Sequence, residues 1–213
     1  VVPVLNGLSH MAILNAAFGR ERVMGGLAKI GVTLQADGLI KHLNEWRYLT
    51  FGEQDGSISA RALALKAAFD KTSVVADAVP DIMHQMWEKL VHLASLAAMT
   101  TLMRASVGEI ARVPGGTELM QEVLKRNAAI AAAAGFPPSQ GFLDSFNALF
   151  ADQSATYTAS MLRDIERKGP VEADHIAGFM LARAEEFGID PTLHRIAYIG
   201  LKAYEQRRAA GRL

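Results

Sequence analysis

The periodicity of apolar residues changes near Pro80, and no other feature of the sequence constrains the fold as much. Before Pro80, β-branched and glycine-rich runs alternate with segments of helical spacing, and after it every apolar pattern has the period of an α-helix. Strands that alternate with helices indicate α/β organisation, whereas a series of helices indicates a bundle. The sequence therefore predicts a sheet-containing domain over residues 1–79 and an all-α domain over residues 80–213.

The predicted elements follow from this division. In the first domain we predict strands at residues 1–5, 23–34, 47–51 and 73–79, and helices at residues 11–18 and 59–69. In the second we predict helices at residues 81–104, 117–134, 139–151, 155–167, 171–187 and 192–210. Pro170 and Gly188 bracket the fifth of these helices, and Asp190 is an N-cap signal for the last.

Composition excludes several classes of function. Lys and Arg together number 22, as do Asp and Glu, so there is no basic excess that would indicate nucleic-acid binding. The absence of cysteine excludes disulfides, thiolate metal sites and cysteine nucleophiles, and it suits a reducing cytoplasm. The uncharged apolar run at residues 90–103 is too short to span a bilayer, and no signal peptide is visible. The histidines have no metal-ligand spacing, so we expect no metal site, nucleic acid or membrane partner.

Lys89 heads an apolar helical stripe that continues through Leu93, Leu96 and Thr100. A partly desolvated lysine would have a lowered pKa, which suits proton transfer. The alternative is a lysine whose stem covers apolar surface while its ammonium group reaches water, and spacing alone favours that alternative.

Two further polar positions have two interpretations each. Glu172 lies in the first turn of a predicted helix on the side of Ile176 and Phe179, so we expect it to face the core side, either as a ligand contact or as a carboxylate that complements the helix dipole. Asn6 and Gly7 follow a predicted strand, where they could form a simple turn or place the Asn6 amide at a ligand-binding strand end. Spacing does not choose between the two for Asn6.

Six ordered motifs carry a resemblance to a known family. They are Val4-Leu5-Asn6-Gly7, Trp87-Glu88-Lys89-Leu90, Gly108-Glu109-Ile110, Ala159-Ser160-Met161-Leu162-Arg163-Asp164, Glu172-Ala173-Asp174-His175-Ile176-Ala177-Gly178 and Leu201-Lys202-Ala203-Tyr204-Glu205. Each motif is weak alone, but the ordered set resembles the ketopantoate reductase (2-dehydropantoate 2-reductase) family and covers almost the whole chain.

The resemblance implies a fold and a reaction. Residues 1–79 would be the C-terminal part of a Rossmann domain that binds NADPH, and residues 80–213 a helical domain like the C-terminal bundle of 6-phosphogluconate dehydrogenase. The protein would reduce a small 2-keto acid in the cytoplasm, as in pantothenate biosynthesis, and the resemblance allows a homodimer.

The resemblance also implies roles for five residues. Lys89 would be the general acid. Asn6 would contact cofactor and substrate, Gly31 and Glu172 would contact the cofactor, and Ser160 would hold the substrate. The implied site lies at the junction of the two domains.

Departures from the family pattern qualify this reading. The family's Leu-Gln-Asn-Gly glutamine is Leu5 here, and three substrate-binding asparagines fall at Leu93, Ala97 and Val107. These changes predict a less polar keto substrate than ketopantoate, and a non-catalytic helical interaction or dimerisation module is the rival hypothesis.

The start of the chain is a further departure. No Gly-x-Gly-x-x-Gly fingerprint is present, and the chain begins with an apolar segment, residues 1–5, without a methionine. We therefore expect the phosphate-binding part of the Rossmann domain to lie upstream, and a processed natural start is the alternative.

Overall fold

The computed structural model describes residues 1–35 and 37–213 and divides the chain into two compact units, Val1–Met86 and Trp87–Leu213. The first unit contains the strands, and helices dominate the second. The predicted fold class, an α/β region followed by an all-α region, is confirmed.

The first unit contains a three-stranded sheet and a separate hairpin. Its elements are α1 (Ser9–Phe18), a 3₁₀ turn (Arg20–Arg22), β1 (Gly25–Lys29), β2 (Val32–Leu34), β3 (Ile40–His42), β4 (Tyr48–Gly52), α2 (Ala60–Ala67) and β5 (Val75–Ala78). The sheet order is β1-β4-β5, with β1 antiparallel and β5 parallel to β4, while β2 and β3 pair with each other. The β4–α2–β5 segment is a parallel crossover, and it buries Phe51 and Ala62 beside Met24.

The predicted strand at residues 1–5 is wrong. The Val1 carbonyl accepts a hydrogen bond from the Met24 N–H (2.9 Å), and the terminal ammonium of Val1 donates to the Arg22 carbonyl (2.7 Å). This pairing stops at Pro3, because proline has no N–H to continue a ladder. The segment therefore lies beside the chain that enters β1 without becoming a strand.

The predicted strand at residues 23–34 is two strands with a break at Gly31. The Gly31 N–H donates to the Asn44 side-chain oxygen (3.1 Å), and the Gly31 carbonyl accepts from the Leu43 N–H (2.7 Å). These bonds close the hairpin whose second strand, β3, the sequence did not predict. Three residues give too short an alternation to register as a pattern.

The second unit and the helix leading into it contain seven helices among the described residues. They are α3 (Ile82–Met103), α4 (Val107–Ala111), α5 (Gly116–Ala133), α6 (Gln140–Ala151), α7 (Ser160–Glu166), α8 (Phe179–Glu186) and α9 (Thr192–Ala209). A single π-helical turn, Asp174–Gly178, leads directly into α8, and in it the Gly178 N–H donates to the Ala173 carbonyl (2.9 Å).

Two differences from the predicted helices share one cause. Helix α4, which was not predicted, begins at a capping box in which Ser106 and Glu109 satisfy each other's backbone N–H groups. The N–H groups of Val107 and Gly108 donate to the carbonyls of Tyr157 and Ala155. Those carbonyls are therefore not used in a helix, and α7 begins at residue 160 instead of residue 155.

A buried polar network joins α3, α5 and α9. The Asn127 amide donates to the Ser95 hydroxyl (2.8 Å), which donates to the Val91 carbonyl (2.7 Å). The Asn127 side-chain oxygen lies 2.8 Å from His194 Nε2, so this nitrogen carries the proton. Nδ1 of His194 is buried and has no hydrogen-bond partner among the described residues. Burial, together with the positive charge of Arg126, lowers the pKa of His194 to about 4.

This network predicts acid lability. The ordinary histidine pKa is 6.5, so on acidification the unfolded chain binds the proton before the folded chain does. Stability present above pH 6.5 should therefore fall as the pH drops toward about 4, by at most about 3 kcal/mol. His194→Gln keeps a donor for Asn127 but does not titrate, so this part of the pH dependence should disappear from urea unfolding measured across that range.

His42→Gln, at an exposed histidine, is the matched control and should keep the wild-type pH dependence. An unchanged pH dependence in His194→Gln would show that another group causes the acid lability.

Candidate functional site

Lys89 lies on α3 among well-packed neighbours. Trp87 and Leu90 are buried, and Lys89 itself is half-buried. Along the same stripe Leu96 and Thr100 are buried, and the Thr100 hydroxyl donates to the Leu96 carbonyl (2.7 Å). The predicted apolar stripe is therefore present, and half-buried Lys89 lies at its first position.

Ser160 is the first residue of α7, and its side chain is exposed. The residue before it, Ala159, is buried and donates its N–H to the Thr100 hydroxyl (3.4 Å). The start of α7 is therefore fastened to α3, the helix that carries Lys89.

Glu172 is exposed, so the expectation that it faces the core side is wrong. Glu172 also precedes the helical segment, which begins with the π turn at Asp174. Its carbonyl accepts the N–H of Ile176 (3.1 Å). The apolar face expected for Glu172 begins with Ile176, which is buried. Burial of Asp164, and after it the negative charge of Glu172, raise the pKa of Asp164. Glu172 therefore lies near α7, the helix that contains Asp164.

Contacts within the second unit join the elements that carry these three residues. The Trp87 ring lies 6.0 Å from the rings of Phe136 and Phe179, which begins α8. Helix α3 therefore contacts the start of α8 as well as the start of α7. The fold thus groups the elements of Lys89, Ser160 and Glu172 in one unit.

Asn6 and Gly31 lie in the first unit. Asn6 is half-buried and precedes Gly7, whose φ of 81° is in the left-handed region that glycine tolerates. The positive φ of Gly7 suits a turn at this position, and the role of the Asn6 amide stays a prediction. Gly31 is half-buried, and a Cβ there would lie 2.5 Å from the Asn44 amide nitrogen. The close approach at Gly31 is therefore to Asn44.

The positions that replace family asparagines are well packed. Leu93 is half-buried, and Ala97 and Val107 are 5% and 0% exposed. None of the three side chains can donate or accept a hydrogen bond. These three positions therefore contribute fewer polar groups to the second unit than the family pattern implies.

An aromatic cluster close to Lys89 was missed in the sequence. The His92 ring stacks on Phe146 (4.1 Å between centroids) and Tyr157 (5.7 Å), and Phe146 also contacts Phe142 and Phe150. Phenylalanines at every fourth position of α6 were the available signal, since such residues share one helix face. Burial raises the pKa of Tyr157. The cluster adds planar apolar surface one helical turn from Lys89.

Among residues 1–35 and 37–213, no group of three or more His, Cys, Asp or Glu side chains could hold a metal ion. None of the helices in this part of the chain has the length and apolarity needed to cross a membrane.

Two family models match the chain. Residues 81–205 match the model for the C-terminal domain of ketopantoate reductase (PanE/ApbA), and residues 1–56 match the model for ketopantoate reductase (PanE/ApbA) itself. The chain belongs to the ketopantoate reductase family. The resemblance read from the six motifs is thereby confirmed, and members of this family are oxidoreductases.

Relatives of known name are longer than this chain. An uncharacterized oxidoreductase, YkpB, of Bacillus subtilis is 28% identical over 98% of this chain and 69% of its own length. A 2-dehydropantoate 2-reductase of Archaeoglobus fulgidus is 30% identical over 92% of this chain and 64% of its own length. The chain thus spans about two thirds of the relatives it matches.

Solved structures confirm the fold. A 2-dehydropantoate 2-reductase from Methylococcus capsulatus is 28% identical with a TM-score of 0.83, over 97% of this chain and 66% of that one. A D-mandelate dehydrogenase in complex with NADH has a TM-score of 0.84 over 97% of this chain and 70% of that one. Its 16% identity makes it a likeness of fold alone.

Proposed function

We propose that this chain supplies catalytic and substrate-binding residues to an NADPH-dependent reductase that transfers hydride to the keto carbon of a small 2-keto acid. The observation that carries the proposal is the half-buried Lys89 on an apolar face of α3, the helix that contacts the starts of α7 and α8. In this proposal residues 1–79 belong to the NADPH-binding Rossmann domain and residues 80–213 form the helical catalytic domain.

The residues present fit one part of the cofactor. The exposed carboxylate of Glu172 can accept hydrogen bonds from a nicotinamide ribose or carboxamide, and the half-buried Asn6 amide can both donate and accept. Gly31 would contact the cofactor by backbone packing alone, because its N–H donates to Asn44 and its carbonyl accepts from Leu43. Residues 1–213 contain no Gly-x-Gly-x-x-Gly loop for the pyrophosphate. Bound NADPH would supply the hydride.

Lys89 has two tasks in this mechanism. Its ammonium group polarises the keto oxygen while negative charge develops there, and it then donates a proton to that oxygen to give the hydroxy acid. The apolar residues around it exclude water and strengthen both effects. Ser160, exposed at the start of α7, holds the substrate by a hydrogen bond, and Asn6 contacts both substrate and cofactor.

The substrate we propose has a less polar distal part than ketopantoate. Leu93, Ala97 and Val107 offer no hydrogen bond to a substrate hydroxyl, and a hydroxyl buried against them without a partner would weaken binding. The D-mandelate dehydrogenase that shares the fold was solved with NADH and anilino(oxo)acetate, a keto acid derivative with an aryl tail. A homodimer in the cytoplasm completes the proposal, and a ketopantoate reductase of Staphylococcus aureus with this fold is dimeric.

Substitutions of Lys89, made in the protein as its gene encodes it, test the role of Lys89 as general acid. Lys89→Ala should lower kcat by about a hundredfold or more, the usual size of a general acid–base contribution. Lys89→Arg keeps the positive charge but has too high a pKa to donate a proton well, so it should stay strongly impaired. Lys125→Ala, at an exposed lysine of α5, is the control and should keep wild-type kcat. Wild-type turnover in Lys89→Ala would remove the assigned role.

A substrate panel tests the apolar wall. With NADPH, 2-keto acids with alkyl or aryl tails should have a higher kcat/KM than ketopantoate. Each lost hydrogen bond costs about 0.5–1.5 kcal/mol, so two or three losses correspond to one to several orders of magnitude. The paired variant Leu93→Asn with Ala97→Asn should shift the preference toward ketopantoate. Ketopantoate as the best wild-type substrate by a clear margin would contradict this proposal.

Residues 1–213 by themselves should bind NADPH weakly and be inactive. No helix N-terminus within them carries the glycine loop that holds a dinucleotide pyrophosphate. Isothermal calorimetry of the 213-residue chain should show a dissociation constant well above the micromolar range, and micromolar binding would contradict the prediction.

A further inference from the structure

Two side chains of α9 hold both ends of the π turn Asp174–Gly178. The Asp174 carboxylate accepts hydrogen bonds from the Tyr198 hydroxyl (2.7 Å) and from Lys202 Nζ (3.0 Å). At the other end, the Tyr198 ring packs so closely on Gly178 that a Cβ there would lie 3.0 Å from Tyr198 Cε2. Tyr198 and Lys202 are four residues apart, which places them on one face of α9. We call Asp174, Gly178, Tyr198 and Lys202 the clamp.

Lys202 makes further contacts that orient its side chain within the clamp. Lys202 also pairs with Glu205 (2.5 Å), and its Nζ lies 6.0 Å from the centre of the Tyr198 ring. The bonds from Tyr198 and Lys202 lower the pKa of Asp174, so they stabilise its ionised form.

The clamp acts on the π turn, which Glu172 precedes. The Ile176 N–H donates to the Glu172 carbonyl, and the Gly178 N–H donates to the Ala173 carbonyl. A π turn is less favourable than an α-helical turn, and it persists where surrounding contacts hold it. If this turn relaxed to α-helix, the extra residue that the π turn accommodates would be lost from the turn. Glu172 would then rotate relative to α7.

Exposure separates this local effect from global stability. The side chains of Asp174 and Lys202 are 60% and 35% exposed. Exposed ion pairs contribute little to the stability of a whole domain. We therefore expect the contacts to affect the local backbone geometry of the turn and to contribute little to the stability of the whole helical unit.

We propose that Tyr198, Lys202 and Asp174 are positioning residues that fix the π turn and thereby aim the Glu172 carboxylate at the nicotinamide cofactor. This inference rests on the proposed cofactor role of Glu172. It also connects two of the motifs found in the sequence, since Asp174 and Gly178 belong to one and Lys202 and Glu205 to the other.

The first test is hydrogen–deuterium exchange on the 213-residue chain, which needs no activity. Tyr198→Phe and Lys202→Met should each speed exchange of the amides of residues 176 and 178 severalfold, with the melting temperature almost unchanged. Arg195→Met is the matched control, because Arg195 also lies on α9 and pairs with Glu185 on α8 (2.7 Å). Protection in the turn equal to wild type in both clamp variants, or lost equally in the control, would overturn the clamp.

The second test measures the KM for NADPH and kcat in the protein as its gene encodes it. Loss of one clamp hydrogen bond should raise the KM for NADPH roughly threefold to tenfold and change kcat less, because the turn contacts the cofactor side and not the keto oxygen. Arg195→Met should leave both parameters unchanged.

Glu172→Ala separates the two ideas. If it raises the KM for NADPH while Tyr198→Phe and Lys202→Met do not, the clamp has no positioning role and the assignment of Glu172 stands. If Glu172→Ala leaves this KM unchanged, the cofactor role of Glu172 is wrong and the positioning proposal is overturned with it, even where exchange in the turn responds.

Discussion

The hydrogen bonds of Asn127 fix the register of α3, α5 and α9, and the positions of the candidate residues in the second unit depend on that register. This one buried side chain donates to Ser95 of α3 and accepts from His194 of α9, while its own backbone belongs to α5. An apolar core would tolerate sliding of these helices along one another, whereas a buried amide with two specific partners does not, because any shift leaves a polar group unpaired. The register of α3 sets the position of Lys89, and the register of α9 sets the position of the clamp.

The two halves of the candidate site use polarity in opposite ways. In the proposed mechanism, buried neighbours of Lys89 on α3 such as Trp87 and Leu90 would leave its ammonium charge little screened, which would strengthen its interaction with a developing oxyanion. Near Glu172 the Asp174 side chain is exposed and hydrogen-bonded to Tyr198 and Lys202, so the local geometry depends on fixed contacts and not on exclusion of water. The proposed reductase would need both, because its acid would act on one atom of the substrate while its cofactor contacts would define an orientation.

The sequence predicted the order and type of most elements, since long periodic segments such as α3, α5 and α9 leave little choice. It failed where a tertiary contact overrides a local pattern. Pro3 ends a pairing that apolar residues alone would continue, and the carbonyls of Ala155 and Tyr157 serve α4 instead of extending α7. The prediction that Glu172 faces the core side was wrong for the same reason. Residue spacing does not reveal that a π turn lies between Glu172 and α8.

The candidate residues could be named from the sequence only through the ordered motifs, and the clamp suggests a physical reason. Asp174 alone suits a helix start, and Lys202 alone suits an exposed helix face, so neither pattern indicates a function. Their relation is visible only in the fold, where the Asp174 carboxylate accepts hydrogen bonds from Tyr198 and Lys202. These residues are too far apart in the sequence for any local pattern to connect them. Motifs that are weak singly can therefore be specific as a set, when the members of the set bond to one another in the fold. The aromatic cluster of His92, Phe146 and Tyr157 belongs to no such motif, and for that reason only the structure reveals it.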